Sequence, residues 1–263
     1  MSSDLSHARD RTIGAAPVTI ELPRPRPERR VFEGRTVIVE PLSADTHAED
    51  LFAVFHADDK AKAVYDYLPY GPFADADAFR AWVAEVAAKD DPVFYAFRRK
   101  STGKVEAMAS LMEIVPAQAR IEIGHINIST AMQNTLEATE GLWLMMQHAM
   151  DDLGNRRFEW KCNALNEGSR KAAARLGFSY EGTFFNHIVV KGRNRDTAWF
   201  SILDSDWPAI RANFAAWLAP AKAPPWLNWP ACSARNTLNP SSARPPLPLP
   251  TRQRSTARRA IHR

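Results

Sequence analysis

The stretch from Ile121 to Phe178 constrains the fold of this chain most, because it predicts strand, turn, helix, strand and helix in unbroken succession. Its first strand, residues 121–128, alternates β-branched with other residues and is followed by a polar turn at 129–135. Apolar residues then recur at three- and four-residue intervals, which predicts an amphipathic helix that ends near Gly154.

The start of this helix is a candidate anion-binding site. Thr135 is suited to cap the helix, and the backbone N–H groups of residues 136–139 are then partly unpaired at the positive end of the helix dipole. Amides in such a position bind phosphate groups well. A ligand that carries a diphosphate is therefore expected where the turn meets the helix.

A second strand, residues 157–162, also leads directly into a helix. Apolar and charged residues alternate along it: Phe158, Trp160 and Cys162 on one side, and Arg157, Glu159 and Lys161 on the other. Asn166 is expected to cap the second helix, which Gly177 and Phe178 close. Two helices thus start at the same ends of two strands that are expected to be neighbours.

At these residues the chain resembles the GNAT superfamily of acyl-CoA-dependent N-acyltransferases, most closely the RimJ/RimL branch of protein N-terminal acetyltransferases. The family turn Gln/Arg-x-x-Gly-x-Gly/Ala corresponds to Gln133–Ala138, whose first and last residues match, whereas Leu136 replaces the first glycine. Asn166-x-x-Ser169 and Leu176-Gly-Phe178 match the helix on the cofactor side. The resemblance covers roughly residues 35–207 and implies an α/β fold with a twisted, mostly antiparallel mixed sheet and helices on both faces.

The resemblance also implies acetyl-CoA as the acyl donor and no metal. The backbones of Ile126 and Ile128 would pair with the pantetheine arm as an added strand does, and Asn166 would lie near the far side of that arm. The diphosphate would be held by Gln133, Asn134, Thr135, Leu136, Glu137 and Ala138. The sequence has no Cys or His pair at metal-ligand spacing and no Gly-rich dinucleotide loop, phosphate-binding Gly-Lys-Ser/Thr turn or serine nucleophile elbow.

Acetyl transfer from a thioester to an amine needs a base for the amine, stabilisation of the oxyanion and a proton for the thiolate. Glu122 precedes Gln133 by 11 residues, the spacing at which many histone acetyltransferase members of the superfamily carry their general base. The alternative is an edge-facing glutamate paired with Arg120 or with a neighbouring strand. His125 is the rival base; strict alternation places it on the opposite face from Glu122, but a bulge at Gly124 would re-aim the two side chains.

The proton for the leaving thiolate has no obvious donor in the sequence. The tyrosine that many members carry four residues before the Gly-Phe pair is Ala173 here. Ser169 or water could donate instead, although Ser169 is also explained as a first-turn helix residue or a cofactor contact. Leu136 and Ala173 together motivate a competing hypothesis, a catalytically weak or inactive CoA-binding module associated with the ribosome.

Two features bear on the amine acceptor: the pKa of the amine and the residues that could line its pocket. An α-amino group, with a pKa of about 7.7 to 8, is partly neutral at pH 7, whereas a lysine with a pKa of about 10.4 is almost entirely charged. A protein or peptide N-terminus, or a small-molecule amine, is therefore the expected acceptor. Tyr65, Tyr67 and Tyr70, in an aromatic loop at residues 65–73, either form a wall of the acceptor pocket or pack as an ordinary connection.

Composition divides the chain of 263 residues into three predicted parts. They are an unpacked leader at 1–30, one acetyltransferase domain at 31–218 and a disordered Pro/Arg-rich tail at 219–263. The tail has eight basic and no acidic residues, so the net charge of +4 divides into +8 in the tail and −4 before it. The tail is either a basic arm for RNA or ribosomes, or a solvated or out-of-frame extension.

The remaining expectations concern location and partners. Two cysteines give no disulfide framework, and the sequence shows no signal peptide or long apolar run, so a cytoplasmic protein without a membrane partner is expected. Nucleic acid is expected as a partner only through the tail, and a homodimer is compatible with the rest of the interpretation.

Overall fold

The computed structural model describes residues 18–219, and within this range eight strands form one sheet. The strands are β1 (Phe32–Glu33), β2 (Val37–Pro41), β3 (Val93–Arg99), β4 (Val105–Val115), β5 (Arg120–Ile128), β6 (Arg157–Asn163), β7 (Ser179–Val190) and β8 (Arg193–Leu203). They lie in the order β1-β2-β3-β4-β5-β6-β8-β7, and β5 and β6 are parallel whereas the other neighbours are antiparallel. The predicted mixed α/β fold is confirmed.

Helices cover both faces of the sheet. They are α1 (Ala44–Phe55), α2 (Asp59–Lys62), α3 (Ala76–Ala87), α4 (Leu136–Gln147), α5 (Glu167–Arg175) and α6 (Trp207–Leu218). Apolar residues of α1 and α3 share one core cluster with the sheet, and those of α4, α5 and α6 share another on the opposite face. The sheet therefore separates two hydrophobic cores.

The connection from β5 through α4 to β6 builds the parallel pair of strands, which requires such a crossover. The Thr135 hydroxyl accepts a hydrogen bond from the Ala138 N–H at 3.3 Å and caps α4, as predicted. A Cβ on Gly141 would lie 2.6 Å from the Phe97 ring, so this glycine lets α4 pack closely on β3. A π-helical turn, His148–Asp152, continues α4, and Gly154 lies just beyond it with φ +62°, as expected for a left-handed end.

Two predicted boundaries differ from the structure. Apolar spacing in the sequence predicts a first helix from about Ala44 to Asp58, but α1 ends at Phe55, and the Asp58 carboxylate accepts a hydrogen bond from the Ala61 N–H at 2.7 Å and starts the separate helix α2. The sequence predicts a hairpin of residues 180–191 and 195–203 with its tip at 192–195, but the β7–β8 hairpin turns at Lys191 and Gly192, both with positive φ. A two-residue turn of this kind matches the twist of the flanking strands.

The segment from residue 18 to residue 30 contains no helix or strand, in keeping with its prolines, but it is anchored to the domain. The Arg24 N–H donates to the Pro116 carbonyl at 3.0 Å, and its Nε donates to the Leu153 carbonyl at 2.8 Å. The Tyr95 hydroxyl donates to the Glu28 carbonyl at 2.9 Å. These contacts differ from the unpacked leader expected from composition.

The rest of the predicted leader and almost all of the predicted tail, residues 1–17 and 220–263, lie outside the described residues. Between residues 18 and 219, no helix has the length and apolar character that crossing a membrane requires.

Candidate active site

The site is built where β5 and β6 separate. The two strands pair only at their first three residues, with residues 120–122 opposite residues 157–159. Beyond that point a cavity of about 520 Å³ opens between them, lined by both strands, α5, β7, β8 and the aromatic loop. Along the edge of β5 that faces β6, residues 123–128 are not paired with β6, and of these Ile123 to Ile126 line the cavity whereas Ile128 does not. An extended ligand rich in amides fits such an edge as an added strand.

A β-bulge shapes this half of β5. Gly124 pairs with Ser110, but the next paired residue, Asn127, lies opposite Met108, so β5 carries one extra residue between the two pairs. His125 has φ +51°, which locates the irregularity at His125 rather than at Gly124 as expected. Its consequence is the predicted one, because Glu122 and His125 line the same cavity.

Glu122 is buried in the wall of the cavity, with 5% of its surface exposed. Its Oε2 lies 2.7 Å from Nζ of Lys161, which is also 3.1 Å from Oε2 of Glu159. The partner is therefore on the neighbouring strand and is not Arg120. Burial raises the pKa of the Glu122 carboxyl, and the Lys161 ammonium opposes the increase. A carboxylate with a raised pKa is a better proton acceptor at neutral pH than an ordinary one.

His125 is held in an aromatic environment. Its ring stacks on Tyr70 with centroids 5.5 Å apart, and it lies 5.1 Å from the ring of Phe94. Burial and, as a smaller cause, the charge of Arg195 together lower the pKa of His125 to about 4. The imidazole is therefore neutral at pH 7 but weakly basic, which favours Glu122 over His125 as the base.

A second cavity, of about 250 Å³, continues toward the turn that precedes α4. Asn166 lines both cavities, and Gln133 lines the second one. Asn166 caps α5, because its Oδ1 accepts a hydrogen bond from the Ser169 N–H at 3.0 Å. Nε2 of Gln133 donates to the Ile128 carbonyl at 3.0 Å. The two cavities thus form a path from the strand opening, where Ile126 lies, to the predicted diphosphate turn.

The first turn of α4 lies next to this path, but residues 134–138 line neither cavity. The Glu137 carboxylate is paired with Arg99 at 3.1 Å, which leaves the backbone N–H of Glu137, and not its side chain, for a phosphate. Leu136 is half-buried at the first helical position. The diphosphate site around Gln133 is compatible with this geometry and stays a prediction.

Ser169 is placed to act as a hydrogen-bond donor. Its Oγ accepts a hydrogen bond from Nε1 of Trp160 at 3.0 Å, and Ser169 lines the large cavity. The Ser169 hydroxyl also hydrogen-bonds the Cys162 side chain, so a group in the cavity would compete with that thiol for the serine proton. Ala173 is fully buried in the core and does not line the cavity. The pKa of Cys162 is raised by burial, which keeps this thiol neutral as expected for a core residue.

The sequence interpretation missed the contribution of β8 to the site. Arg195, Thr197 and Trp199 alternate along one face of β8, and all three line the large cavity together with Lys161. Nζ of Lys161 lies 4.2 Å from the centre of the Trp199 ring, a cation–π contact. Alternation could have grouped these residues on one face, but it could not show that β8 lies beside β6.

The β7–β8 hairpin closes the cavity against the aromatic loop. Nζ of Lys191 donates to the carbonyls of Tyr65 at 2.7 Å and Gly71 at 2.6 Å. Tyr67 lines both cavities, whereas the hydroxyls of Tyr65 and Tyr70 are buried without a hydrogen-bond partner among the described residues. The pocket-wall hypothesis therefore fits Tyr67, and the packing alternative fits Tyr65 and Tyr70.

Comparison with known families gives a match that agrees with this geometry. The sequence model described as an acetyltransferase (GNAT) domain matches residues 36–179. A search among curated proteins found no match. Within residues 18–219, no three His, Cys, Asp or Glu side chains are grouped so that they could hold a metal ion.

Several solved structures of acetyltransferases are also similar to this chain. A GCN5-related N-acetyltransferase from Brucella melitensis is 46% identical, with a TM-score of 0.74 over 77% of this chain and 91% of that one. A GNAT-family protein from Chromobacterium violaceum ATCC 12472 is 39% identical, with a TM-score of 0.67 over 74% of this chain and 98% of that one. RimL, a ribosomal L7/L12 α-N-protein acetyltransferase, shares the fold, with 18% identity and a TM-score of 0.57 over 66% of this chain and 94% of that one. The chain therefore belongs to the GNAT family of acetyltransferases.

Proposed function

We propose that this protein transfers the acetyl group of acetyl-CoA to a primary amine, either the N-terminal α-amino group of a protein or peptide or a small-molecule amine. One observation carries the proposal: the buried carboxylate of Glu122 lies at the point where β5 and β6 separate and lines the same cavity as the unpaired edge of β5. This arrangement brings a proton acceptor next to a surface that suits an amide-rich arm.

In this reaction the residues of the chain would have the following roles. Acetyl-CoA supplies the activated acetyl group, and the backbones of Ile126 and Ile128, with Asn166 near the far side, would hold its arm. Glu122 accepts a proton from the attacking amine, directly or through water. Holding the two reactants together supplies much of the rate, because a bimolecular step becomes effectively unimolecular.

The proton for the leaving thiolate is assigned to Ser169 or to water. The indole N–H of Trp160 fills an acceptor position of the Ser169 hydroxyl, which orients the serine proton away from the indole. Ser169 lines the cavity, whereas Ala173, at the position where many members carry a tyrosine, has no proton to donate.

Two features support an N-terminal acceptor of the RimJ/RimL kind. The fold is shared with RimL, and an α-amino group needs a weaker base than a lysine does. The competing candidate, a CoA-binding and ribosome-associated module without turnover, is supported by the aliphatic residues at Leu136 and Ala173.

The test is an assay of acetyl transfer from acetyl-CoA to a panel of peptide N-termini and small amines, with mass spectrometry of the products. The proposal expects N-acetylated product from at least one acceptor, and much less of it from the Glu122→Gln variant. Tight binding of acetyl-CoA with no acceptor in the panel would instead favour the module, and acetylation restricted to lysine side chains would contradict the proposed acceptor class.

A further inference from the structure

Two hydrogen-bond donors on β8 lie in the wall of the large cavity without a partner. Nε of Arg195 and Nε1 of Trp199 are both buried, and neither has a hydrogen-bond partner among the residues that the structure describes. A buried donor without a partner is costly, and the great majority of such groups in native proteins are satisfied. A ligand group that accepts hydrogen bonds would satisfy both.

The charge of Arg195 points to an anionic ligand group. The other cation that lines the cavity, Lys161, is compensated by Glu122 at 2.7 Å and Glu159 at 3.1 Å. Within residues 18–219, no carboxylate forms an ion pair with Arg195. Burial lowers the pKa of Arg195, and the more distant Glu122 opposes this shift, but an arginine stays charged at pH 7. The cavity thus contains one guanidinium without a counter-ion in the described part of the chain.

The position of these donors relates them to the acceptor amine. Trp199 pairs with Lys161 across β6 and β8, and Lys161 contacts the candidate base Glu122. Arg195 and Trp199 lie on the same face of β8, four residues apart. The base and the two donors therefore line one cavity from adjacent strands.

We infer that the acceptor carries a carboxylate close to its reactive amine, and that the Arg195 guanidinium and the Trp199 Nε1–H bind this carboxylate while the amine faces Glu122. A carboxylate fits because the planar guanidinium donates two parallel hydrogen bonds to its two oxygens. The inference rests on the proposed function and narrows its acceptor to amino carboxylates. These are either small amino acids or peptides with an acidic residue at the N-terminus.

The kinetic test uses acceptors in matched pairs that differ only in the carboxylate. Glycine, β-alanine and γ-aminobutyrate are compared with their amides, and peptides that begin with Asp are compared with peptides that begin with Asn. Arg195→Gln should lower kcat/KM for the preferred acid about 10- to 100-fold more than for its amide, as expected for a lost hydrogen bond between charged groups. Comparing the loss within each pair cancels differences in amine pKa, and the two sets of pairs distinguish a small molecule from a peptide.

Two further variants refine the test. Trp199→Phe keeps the ring over Lys161 but removes the donor, and it should give a loss for the acid of about three- to tenfold. Arg193→Gln is the matched control, since Arg193 is exposed on the same strand and does not line the cavity, and it should leave both rates unchanged. Equal losses for acid and amide in Arg195→Gln, or a raised KM for acetyl-CoA, would show that Arg195 serves the fold or the cofactor and would overturn the inference.

A binding measurement separates this inference from the proposed function. Calorimetry with CoA-saturated protein should show at least tenfold tighter binding of the best acid than of its amide, and Arg195→Gln should abolish that difference. Discrimination in binding without turnover would support the carboxylate site and reject the acetyl transfer proposal. Turnover of acid and amide with equal efficiency would support acetyl transfer and reject the carboxylate site. Equal or undetectable binding of acid and amide would also reject the carboxylate site.

Discussion

Glu122 is subject to two opposing influences, burial and the nearby ammonium of Lys161. Burial disfavours the carboxylate and raises its pKa, whereas Lys161 favours the carboxylate. The group must be ionised to accept a proton, so kcat/KM should fall as the pH is lowered through this raised pKa. The position of that acidic limb reports the balance between burial and the ion pair.

Replacement of Glu122 by glutamine tests the assignment of the base. Glu122→Gln should reduce kcat about 100- to 10,000-fold, the range for loss of one general base, and should remove the part of the acidic limb that belongs to the Glu122 carboxyl, leaving the part due to protonation of the amine. Stability should change little, because Lys161 keeps Glu159 as its partner at 3.1 Å. The readouts are steady-state kinetics from pH 5 to 9 and calorimetric affinity for CoA, which should be retained.

The matched control is Glu113→Gln, since Glu113 is also a glutamate that lines the cavity, but its side chain is half exposed and lies 3.7 Å from Arg120 rather than against Lys161. This variant should keep its activity within about twofold. Unchanged turnover in Glu122→Gln across the same pH range would reject Glu122 as the base.

His125 gives a prediction about stability and pH. Its pKa is lowered from 6.5 to about 4 in the folded protein, so between these values the unfolded chain binds more protons. Above pH 6.5 His125 is neutral in both states and does not change the free energy of unfolding. As the pH drops from 6.5 to 4, the free energy of unfolding should fall by up to about 3 kcal/mol. Denaturant titrations of the wild type and of His125→Asn, which tolerates the positive φ, should show that the variant lacks this part of the loss. Parallel pH profiles for the two proteins would contradict the prediction.

At the scale of elements, the site depends on the β7–β8 hairpin resting on the aromatic loop. Lys191 joins the two through the carbonyls of Tyr65 and Gly71. Both contacts are hydrogen bonds from a charged donor, but Lys191 is exposed, so together they should contribute only about 1 kcal/mol.

Lys191→Met keeps the length of the side chain and removes the donor. It should raise KM for the acceptor about fivefold, with a smaller effect on kcat, because the acceptor side of the cavity is held less firmly. Limited proteolysis should cut the hairpin faster than in the wild type, and Arg193→Gln on the same hairpin should behave as the wild type does. A variant that matches the wild type in both assays would show that the contact does not support the pocket.

Much of the fold could be predicted from local patterns. Alternation in residues 121–128 and 157–162 gave two strands, and Thr135, Asn166 and Gly154 marked helix ends that the structure confirms. These signals are local, because each depends on the residue's own backbone conformation or on a neighbour within one turn. The split of the first helix at Asp58 was missed, since apolar spacing continues across a cap.

The site was less predictable because it joins distant parts of the chain. Glu122 was proposed from its spacing to Gln133, but its partner Lys161 comes from the next strand of the sheet. Arg195 and Trp199 reach the cavity because β8 lies beside β6, a pairing that local patterns do not specify. The bulge at His125 likewise depends on the register of β5 against β4.

In the molecule as a whole, the candidate active site depends on the separation of β5 from β6. The sheet has its parallel pair at this point, and the crossover helix α4 begins beside the open end of the cavity path. The segment from residue 18 to residue 30 is anchored away from this opening, by Arg24 to the carbonyls of Pro116 and Leu153. Ligand binding should therefore mainly affect the backbone of β5 and the start of α4.

Hydrogen exchange with and without acetyl-CoA tests this claim most directly. Bound acetyl-CoA should slow exchange at the backbone amides of residues 123–128, on the unpaired edge of β5, and at residues 133–138, where α4 begins. Exchange in α1 and α3, on the other face of the sheet, should stay as it was. Unchanged exchange along β5 at saturating acetyl-CoA, or protection confined to another part of the molecule, would contradict the account.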